Sequence, residues 1–255
     1  MRILNAALLL VPGAALAASA FDGTWKANLD SMRVVGRPDV YLLADGEYTC
    51  SSCSPELKVK ADGVSHPVTG HAYYDEAMAK VVSPSTVEEI LKQGGKEVAR
   101  ITDTVSADGS TLTTKFTSHT GTKVVTGEFT SKRAAKAPAG AHAISGSWYQ
   151  DKMSGNDAMR VVQYEMTDGG FKMSRNGQSY DAKFDGKDYP ITGDPGKTSV
   201  TLEKLDDKTV SEIVHRQGKV VDQVRLAVEK DGKTLAVTDR DLAHGQTVTY
   251  TLDKQ

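Results

Sequence analysis

An internal repeat is the feature of this sequence that most restricts its fold. The offset of 123 residues that carries Trp25 to Trp148 also aligns residues 21–132 with residues 144–255, and the two stretches are identical at 28 of 112 aligned positions. A period that persists over this length indicates two copies of one structural unit. We therefore predict two tandem domains, at residues 21–133 and 144–255.

The segment between the two copies has a different composition. Residues 134–143 are rich in Ala, Pro and Gly, and they contain no large apolar side chain that a core could bury. Such a composition is typical of a connecting segment. We predict a linker at residues 134–143.

Turn signals and alternating apolar residues predict that both copies are β-rich. Asp-Gly pairs begin at positions 22, 45, 62, 108, 168, 185 and 231, and this pair suits tight hairpins because both residues tolerate positive φ. Tyr180, Ala182 and Phe184 alternate with polar residues, as a half-buried strand requires. The predicted fold class is therefore all-β, with two tandem antiparallel meander barrels of about eight to ten strands each.

The first residues of each copy carry a resemblance to a known family. Gly23-Thr24-Trp25 and Gly146-Ser147-Trp148 resemble the Gly-x-Trp opening of lipocalin and calycin barrels, and residues 184–195 resemble small secreted bacterial lipocalin-like proteins of unassigned function. The resemblance covers both copies. It implies a barrel that binds a small, partly apolar molecule, and it leaves the ligand-binding residues unknown.

The resemblance also implies a role for the two tryptophans. In lipocalins the first-strand Trp closes one end of the barrel against a basic residue near the last strand, so Trp25 and Trp148 are predicted as structural plugs of their barrels. Arg133 takes the place of the basic residue in copy one, whereas copy two ends at Lys254-Gln255 without an Arg. A buried indole contributes a large apolar area, which favours this structural role over ligand contact.

Two cysteines and two histidines occur in copy one alone. Cys50 and Cys53 are close in sequence, and a disulfide between them is the leading prediction for an exported protein. The spacing of Cys50, Cys53, His66 and His71 also matches a zinc-ligand set, which excludes the disulfide because a metal needs thiolate ligands. Free or redox-active thiols are the third alternative.

Charge and motifs exclude several classes of function. The sequence has 31 Lys and Arg against 33 Asp and Glu, so no general excess of positive charge favours nucleic acid or a membrane surface. Acidic residues are scattered, and no Gly-x-Ser-x-Gly motif is present. We predict no catalytic residues, no enzyme activity and no cofactor.

The N-terminus reads as an export signal. Arg2 precedes an apolar run and then small-residue cleavage patterns, which together predict a signal peptide at residues 1–20, cleaved between Ala17 and Phe21. The apolar run is too short for a permanent membrane span. The protein is therefore expected in the periplasm or outside the cell, without membrane insertion.

These features favour an exported, non-catalytic binding protein for a small apolar or amphipathic molecule. Two alternatives remain open at this point. One is a structural or protein-interaction module whose barrels are packed solid, and the other is metal binding in the first domain.

Overall fold

The computed structural model describes residues 19–255. The predicted signal peptide therefore lies, except for its last two residues, outside the described residues. The described chain has twenty strands and one four-residue helix. In chain order they are β1 (Gly23–Gly36), β2 (Asp39–Ala44), β3 (Glu47–Cys50), β4 (Leu57–Lys60), β5 (His66–Pro67), β6 (Glu76–Ser83), β7 (Thr86–Gln93), β8 (Lys96–Val105), β9 (Thr111–Ser118), β10 (Val125–Lys136), β11 (Gly146–Gly155), α1 (Asp157–Arg160), β12 (Val161–Thr167), β13 (Gly170–Arg175), β14 (Gln178–Lys183), β15 (Tyr189–Pro190), β16 (Ser199–Asp206), β17 (Thr209–Arg216), β18 (Lys219–Val228), β19 (Thr234–Asp241) and β20 (Gln246–Lys254).

Two-residue turns connect neighbouring strands where glycine follows a residue that tolerates positive φ. Asp45 and Gly46 join β2 to β3 with φ of 51° and 75°, the left-handed pair that a type I′ turn needs. Asn176 and Gly177 join β13 to β14 in the same way, with φ of 42° and 87°. Such turns fix the register of the strands on either side, so they determine which side chains are neighbours in the sheets.

The strands form two ten-stranded antiparallel sheets that curl into nearly closed barrels. Barrel one has the order β4-β3-β2-β11-β10-β9-β8-β7-β6-β5, and barrel two has the order β14-β13-β12-β1-β20-β19-β18-β17-β16-β15. An isolated bridge crosses the seam of each barrel, from Asp62 to Lys80 and from Ser179 to Thr192. The predicted fold class is confirmed, and the architecture is consistent with a lipocalin-like fold.

The two sheets exchange their first strands. Strand β1 of copy one pairs with β12 and β20 of copy two, and β11 of copy two pairs with β10 and β2 of copy one. Barrel one is therefore the continuous run from β2 to β11, whereas barrel two combines β1 with the strands from β12 to β20. The ranges 21–133 and 144–255 describe the two copies of the sequence repeat. Each copy gives its first strand to the sheet of the other copy.

The connection between β1 and β2 is short and disfavours a tight hairpin. Only Arg37 and Pro38 separate the two strands. A two-residue hairpin needs positive φ, whereas the proline ring holds φ near −65°. Strand β1 does not fold back on β2, and the chain passes from one barrel to the other. Copy two has Val161 in place of Pro38, and its strand β11 is exchanged as well, so the proline alone does not cause the exchange. Gly36 permits this passage because a Cβ there would lie 2.4 Å from the carbonyl oxygen of Gly245.

Each barrel has its own apolar core, and each core takes its tryptophan from the other copy. Trp25 packs in barrel two with side chains that include Phe171, Leu226 and Leu252. Trp148 packs in barrel one with side chains that include Tyr48, Val87 and Leu112. Burial of these apolar side chains supplies the main driving force for each barrel.

The predicted linker is held against barrel one. Strand β10 continues to Lys136, three residues into the range 134–143. The backbone N–H of His142 donates to the carbonyl of Leu43 at 2.9 Å, and its ring Nε2 donates to the carbonyl of Ser83 at 2.8 Å. These bonds fix the path by which the chain enters β11.

Candidate functional site

Trp25 lies in the core of barrel two and is completely buried. Its indole Nε1 donates to the carbonyl of Phe21 at 2.7 Å, so the buried donor is satisfied. Lys254 Nζ lies 5.2 Å from the centroid of the ring and donates to the carbonyl of Ala20 at 3.3 Å. Lys254, near the end of copy two, thus takes the position of the basic residue beside the tryptophan.

Trp148 occupies the corresponding place in barrel one, and Arg133 covers it. The guanidinium carbon lies 3.9 Å from the ring centroid, within the range of a cation–π contact. Its nitrogens donate to the carbonyls of Gly109, Ser145 and Ala143 at 2.5, 2.7 and 2.7 Å. The expectation that Arg133 would cover the tryptophan of its own copy is therefore wrong, because the exchanged strand β11 places Trp148 beside β10.

Cys50 and Cys53 form a disulfide, as predicted. Their Cα atoms are 5.4 Å apart, a usual separation for a bonded pair. Because the disulfide consumes both thiols, the alternative zinc set loses two of its four ligands, and free thiols are excluded as well.

The two histidines of the zinc alternative make other contacts. His66 Nε2 lies 2.9 Å from Asp62 Oδ1, and the ring of His71 stacks on Tyr74 with centroids 4.4 Å apart. Partial burial lowers the pKa of His71. Among residues 19–255, no group of three or more His, Cys, Asp and Glu side chains is arranged to hold a metal ion. The metal-binding prediction is therefore not supported.

A carboxyl and tyrosine network lies inside barrel two. The hydroxyl of Tyr180 donates to Glu212 Oε1 at 2.5 Å, and both side chains are buried. Burial raises the pKa of Glu212 to about 7, although the hydrogen bond from Tyr180 opposes this change. Burial, with repulsion from Asp222, also raises the pKa of Asp239 to about 6. These groups can hold protons near neutral pH inside an otherwise apolar barrel.

Barrel one contains an equivalent network. Glu89 is the repeat counterpart of Glu212 and is buried beside Asp103. Burial raises the pKa of both carboxyls, and repulsion from Asp103 adds to the rise at Glu89. The hydroxyl of Thr114 donates to Asp103. Because a buried glutamate at the same repeat position recurs in both barrels, we assign these networks to the packing of the barrels.

A cleft of about 790 Å³ opens on the outer face of barrel two. Its volume lies within the range of roughly 300–1,000 Å³ that is usual for small-molecule sites. Outward polar and charged side chains line it together with Tyr189 and Pro190 at one edge, and with Tyr164, Met173 and Tyr180, whose side chains belong to or pack against the core of barrel two. The lining residues are Asp22, Gly23, Thr24, Gln163, Tyr164, Glu165, Lys172, Met173, Ser174, Ser179, Tyr180, Asp181, Tyr189, Pro190 and Thr192.

Strand register explains the polar part of the lining. Val162 points into the core, so its neighbour Gln163 points outward, because successive side chains of a strand alternate between faces. Gln163 pairs with Thr24 on one side and with Ser174 on the other, and Ser174 pairs with Ser179. These four residues form the hydroxyl–amide row of the outer face.

A second outward row runs beside the first and carries charge. Lys172 lies between Glu165 and Asp181, with Nζ 3.7 Å and 3.6 Å from their carboxylate oxygens. At these exposed positions the ion pairs contribute little to stability. The charges therefore remain accessible in the cleft.

An adjoining cleft of about 350 Å³ extends the site toward barrel one. It shares Gln163, Ser174 and Ser179 with the larger cleft, and its far wall includes Thr122 and Lys123 from the β9–β10 connection. We call the two clefts together the outer trough.

A specific contact fixes that far wall. The side chain of Asn176 accepts a hydrogen bond from the backbone N–H of Lys123 at 2.9 Å and donates to its carbonyl at 3.1 Å. The end of the outer trough is therefore built where the two barrels meet.

Sequence reasoning predicted the disulfide and missed the outer trough. A usable signal was present in the turns at 168–169 and 176–177, because two-residue turns fix the register that aligns Gln163 with Ser174 and Ser179. Thr24 joins this row only because β1 is exchanged between the barrels. No local sequence pattern encodes that exchange.

Comparison with protein-family models, with curated proteins and with solved structures found no match to this chain. Within residues 19–255, no helix is long and apolar enough to cross a membrane.

Proposed function

We propose that this chain is an exported, lipocalin-like, non-catalytic binding protein that holds a small amphipathic molecule in the outer trough of barrel two. The observation that carries the proposal is the 790 Å³ cleft, which combines an aromatic edge with ordered polar rows. Such a combination is typical of sites that orient one ligand through a few polar contacts. Export is supported by the N-terminal sequence pattern.

The packing of the barrel favours the outer face over the interior. Trp25 and Phe171 are completely buried, and Tyr180 fills the next layer with its hydroxyl bonded to Glu212. A ligand inside barrel two would have to displace these close-packed side chains, at a cost of several kcal/mol. A ligand in the outer trough requires no such rearrangement.

Dye binding with a matched pair of variants tests the proposal. The probe is N-phenyl-1-naphthylamine, a neutral dye whose fluorescence rises in apolar surroundings. Tyr189→Ala removes an aromatic wall of the cleft and is expected to weaken dye binding about tenfold. The control is His66→Ala, which changes the repeat-equivalent residue of barrel one and should leave binding unchanged.

Native mass spectrometry of protein purified from cells supplies a second measurement. A retained small molecule that is lost in Tyr189→Ala supports the proposal. Absence of both a retained molecule and dye binding would contradict it, and would leave the interaction module with solid-packed barrels as the better explanation.

A further inference from the structure

The hydroxyl–amide row offers an ordered set of hydrogen-bonding groups across four strands. Gln163 Nε2 lies 3.5 Å from Thr24 Oγ1, and the Ser174 hydroxyl donates to Gln163 Oε1 at 3.2 Å. Each hydroxyl can donate once and accept twice, and a carboxamide has two donors and two acceptor positions. These internal bonds therefore leave most of the row's hydrogen-bonding capacity available to a ligand.

The dimensions of the row favour an extended ligand. Four adjacent strands about 4.8 Å apart span roughly 14 Å from Thr24 to Ser179. The smaller cleft continues past the same row to Lys123 of barrel one. A single compact apolar molecule would cover only part of this surface.

The chemistry of the row disfavours a purely apolar occupant. Covering Gln163 and Ser174 with an alkyl chain would remove them from water without replacing their hydrogen bonds, which is costly. A ligand with many hydroxyls would satisfy them. Its C–H faces would pack on Tyr189 and Pro190 at the edge of the cleft.

We propose that the outer trough binds an oligosaccharide, whose hydroxyls bond to the row of Thr24, Gln163, Ser174 and Ser179. This inference rests on the proposed function, and it specifies the class of the ligand. Lys172 donates to ligand oxygens, and the neighbouring carboxylates accept from ligand hydroxyls.

The repeat provides an internal comparison. In copy one, Val40 stands at the position equivalent to Gln163, and Leu42 at the position equivalent to Glu165. Leu42 is 40% exposed, so barrel one has apolar side chains at these two positions and lacks the central carboxamide of the row, although Ser51 stands in place of Ser174. Oligosaccharide binding is therefore expected in barrel two alone.

The test is a titration of the protein comprising residues 19–255 with chitotriose, maltotriose and cellotriose in turn. Binding is monitored through the ¹H–¹⁵N NMR spectrum of the protein. At least one trisaccharide is expected to shift resonances of the row. Gln163→Val, which introduces the residue found in barrel one, should weaken that binding about tenfold, and Ser174→Ala about fivefold. Ser51→Ala, the barrel-one equivalent of Ser174→Ala, should change it less than about twofold.

The outcomes separate the two proposals. If the naphthylamine dye binds in a Tyr189-dependent manner and none of the trisaccharides binds at about 10 mM, the oligosaccharide assignment is overturned and the proposed function stands. The assignment also fails if a trisaccharide binds with shifts away from the row, or with equal affinity to Gln163→Val. If neither dye nor trisaccharide binds, both proposals fail.

Discussion

Glu212 shows how one buried residue links the packing of barrel two to pH. Its carboxyl accepts from Tyr180 within an apolar core, and burial raises its pKa to about 7 from an ordinary value of 4.5. The folded state therefore keeps a proton that the unfolded chain releases above about pH 4.5. The stabilising effect of this proton is complete below that pH and is lost as the pH rises through 7.

Glu212→Gln is expected to remove this part of the pH dependence. The glutamine carbonyl still accepts from Tyr180 and carries no charge. The difference between pKa 4.5 and about 7 corresponds to roughly 3 kcal/mol. The fall in unfolding free energy between about pH 5 and pH 7.5 should therefore be smaller in the variant by about 2–3 kcal/mol.

Urea denaturation at a series of pH values measures this effect. Glu203→Gln, at an exposed position of the neighbouring strand β16, is the control and should keep the wild-type slope. Parallel slopes for Glu212→Gln and the wild type would show that Glu212 does not titrate in this range.

Among the elements, β1 is notable because it belongs to one copy in sequence and to the other copy in its sheet. Its residues Trp25 and Ala27 pack in the core of barrel two, opposite Lys254 and Leu252 of the last strand. The strand thus fills the place between β12 and β20 and pairs with the edges of both strands. This arrangement has the geometry of strand addition.

A peptide of residues 19–36 should therefore complement a chain of residues 37–255. Without β1, barrel two loses Trp25 and exposes two strand edges. The added peptide should restore the cooperative thermal transition of barrel two, beside that of barrel one, and the emission of Trp25 should shift to shorter wavelength as the indole is buried. A Trp25→Ala peptide loses about 3–5 kcal/mol of packing and should bind more than about a hundredfold more weakly. Equal binding of the two peptides would count against this role of β1.

The sequence predicts the local turns of this fold, but it does not predict the exchanged strand. Asp45-Gly46 specifies its hairpin through positive φ, and alternation identifies which residues of a strand face inward. Trp25 and Trp148 follow equivalent Gly-x-Trp motifs, so either barrel can accept either residue. Partner choice is not encoded by a local pattern, since copy two has Val161 in place of Pro38 and its first strand is exchanged as well. The outer trough could not be predicted either, because the strand exchange is what brings Thr24 beside Gln163.

At the scale of the whole molecule, the two barrels are joined by more than the chain connections. Tyr73 of barrel one lies against Gly196 of barrel two, its repeat counterpart. The hydroxyl of Tyr73 accepts from Arg216 at 3.0 Å, and the guanidinium carbon lies 5.1 Å from the ring centroid. Together with the contact between Asn176 and Lys123, this interface holds the barrel-one wall of the outer trough in place.

The exchange predicts which pieces of the molecule can fold alone. Residues 37–158 contain every strand of barrel one, including β11 with Trp148, and should unfold cooperatively with a buried indole. Residues 21–133 correspond to one sequence copy but lack β11. They contain Trp25 without β12 and β20, the strands that pair with β1 in the whole protein. This second fragment should show solvent-exposed tryptophan emission and no cooperative transition.

Each fragment contains a single tryptophan and the same disulfide between Cys50 and Cys53, so fluorescence during urea denaturation compares them directly. The disulfide cannot account for a difference in stability because both fragments retain it. A cooperatively folded monomer of residues 21–133 that buries Trp25 would mean that each sequence copy can close its own barrel. In that case the exchange would reflect the joining of two copies by a short connection rather than a requirement of either core. If only residues 37–158 fold, strand β11 with Trp148 is indispensable to barrel one, and the independently folding unit is displaced from the sequence repeat by one strand.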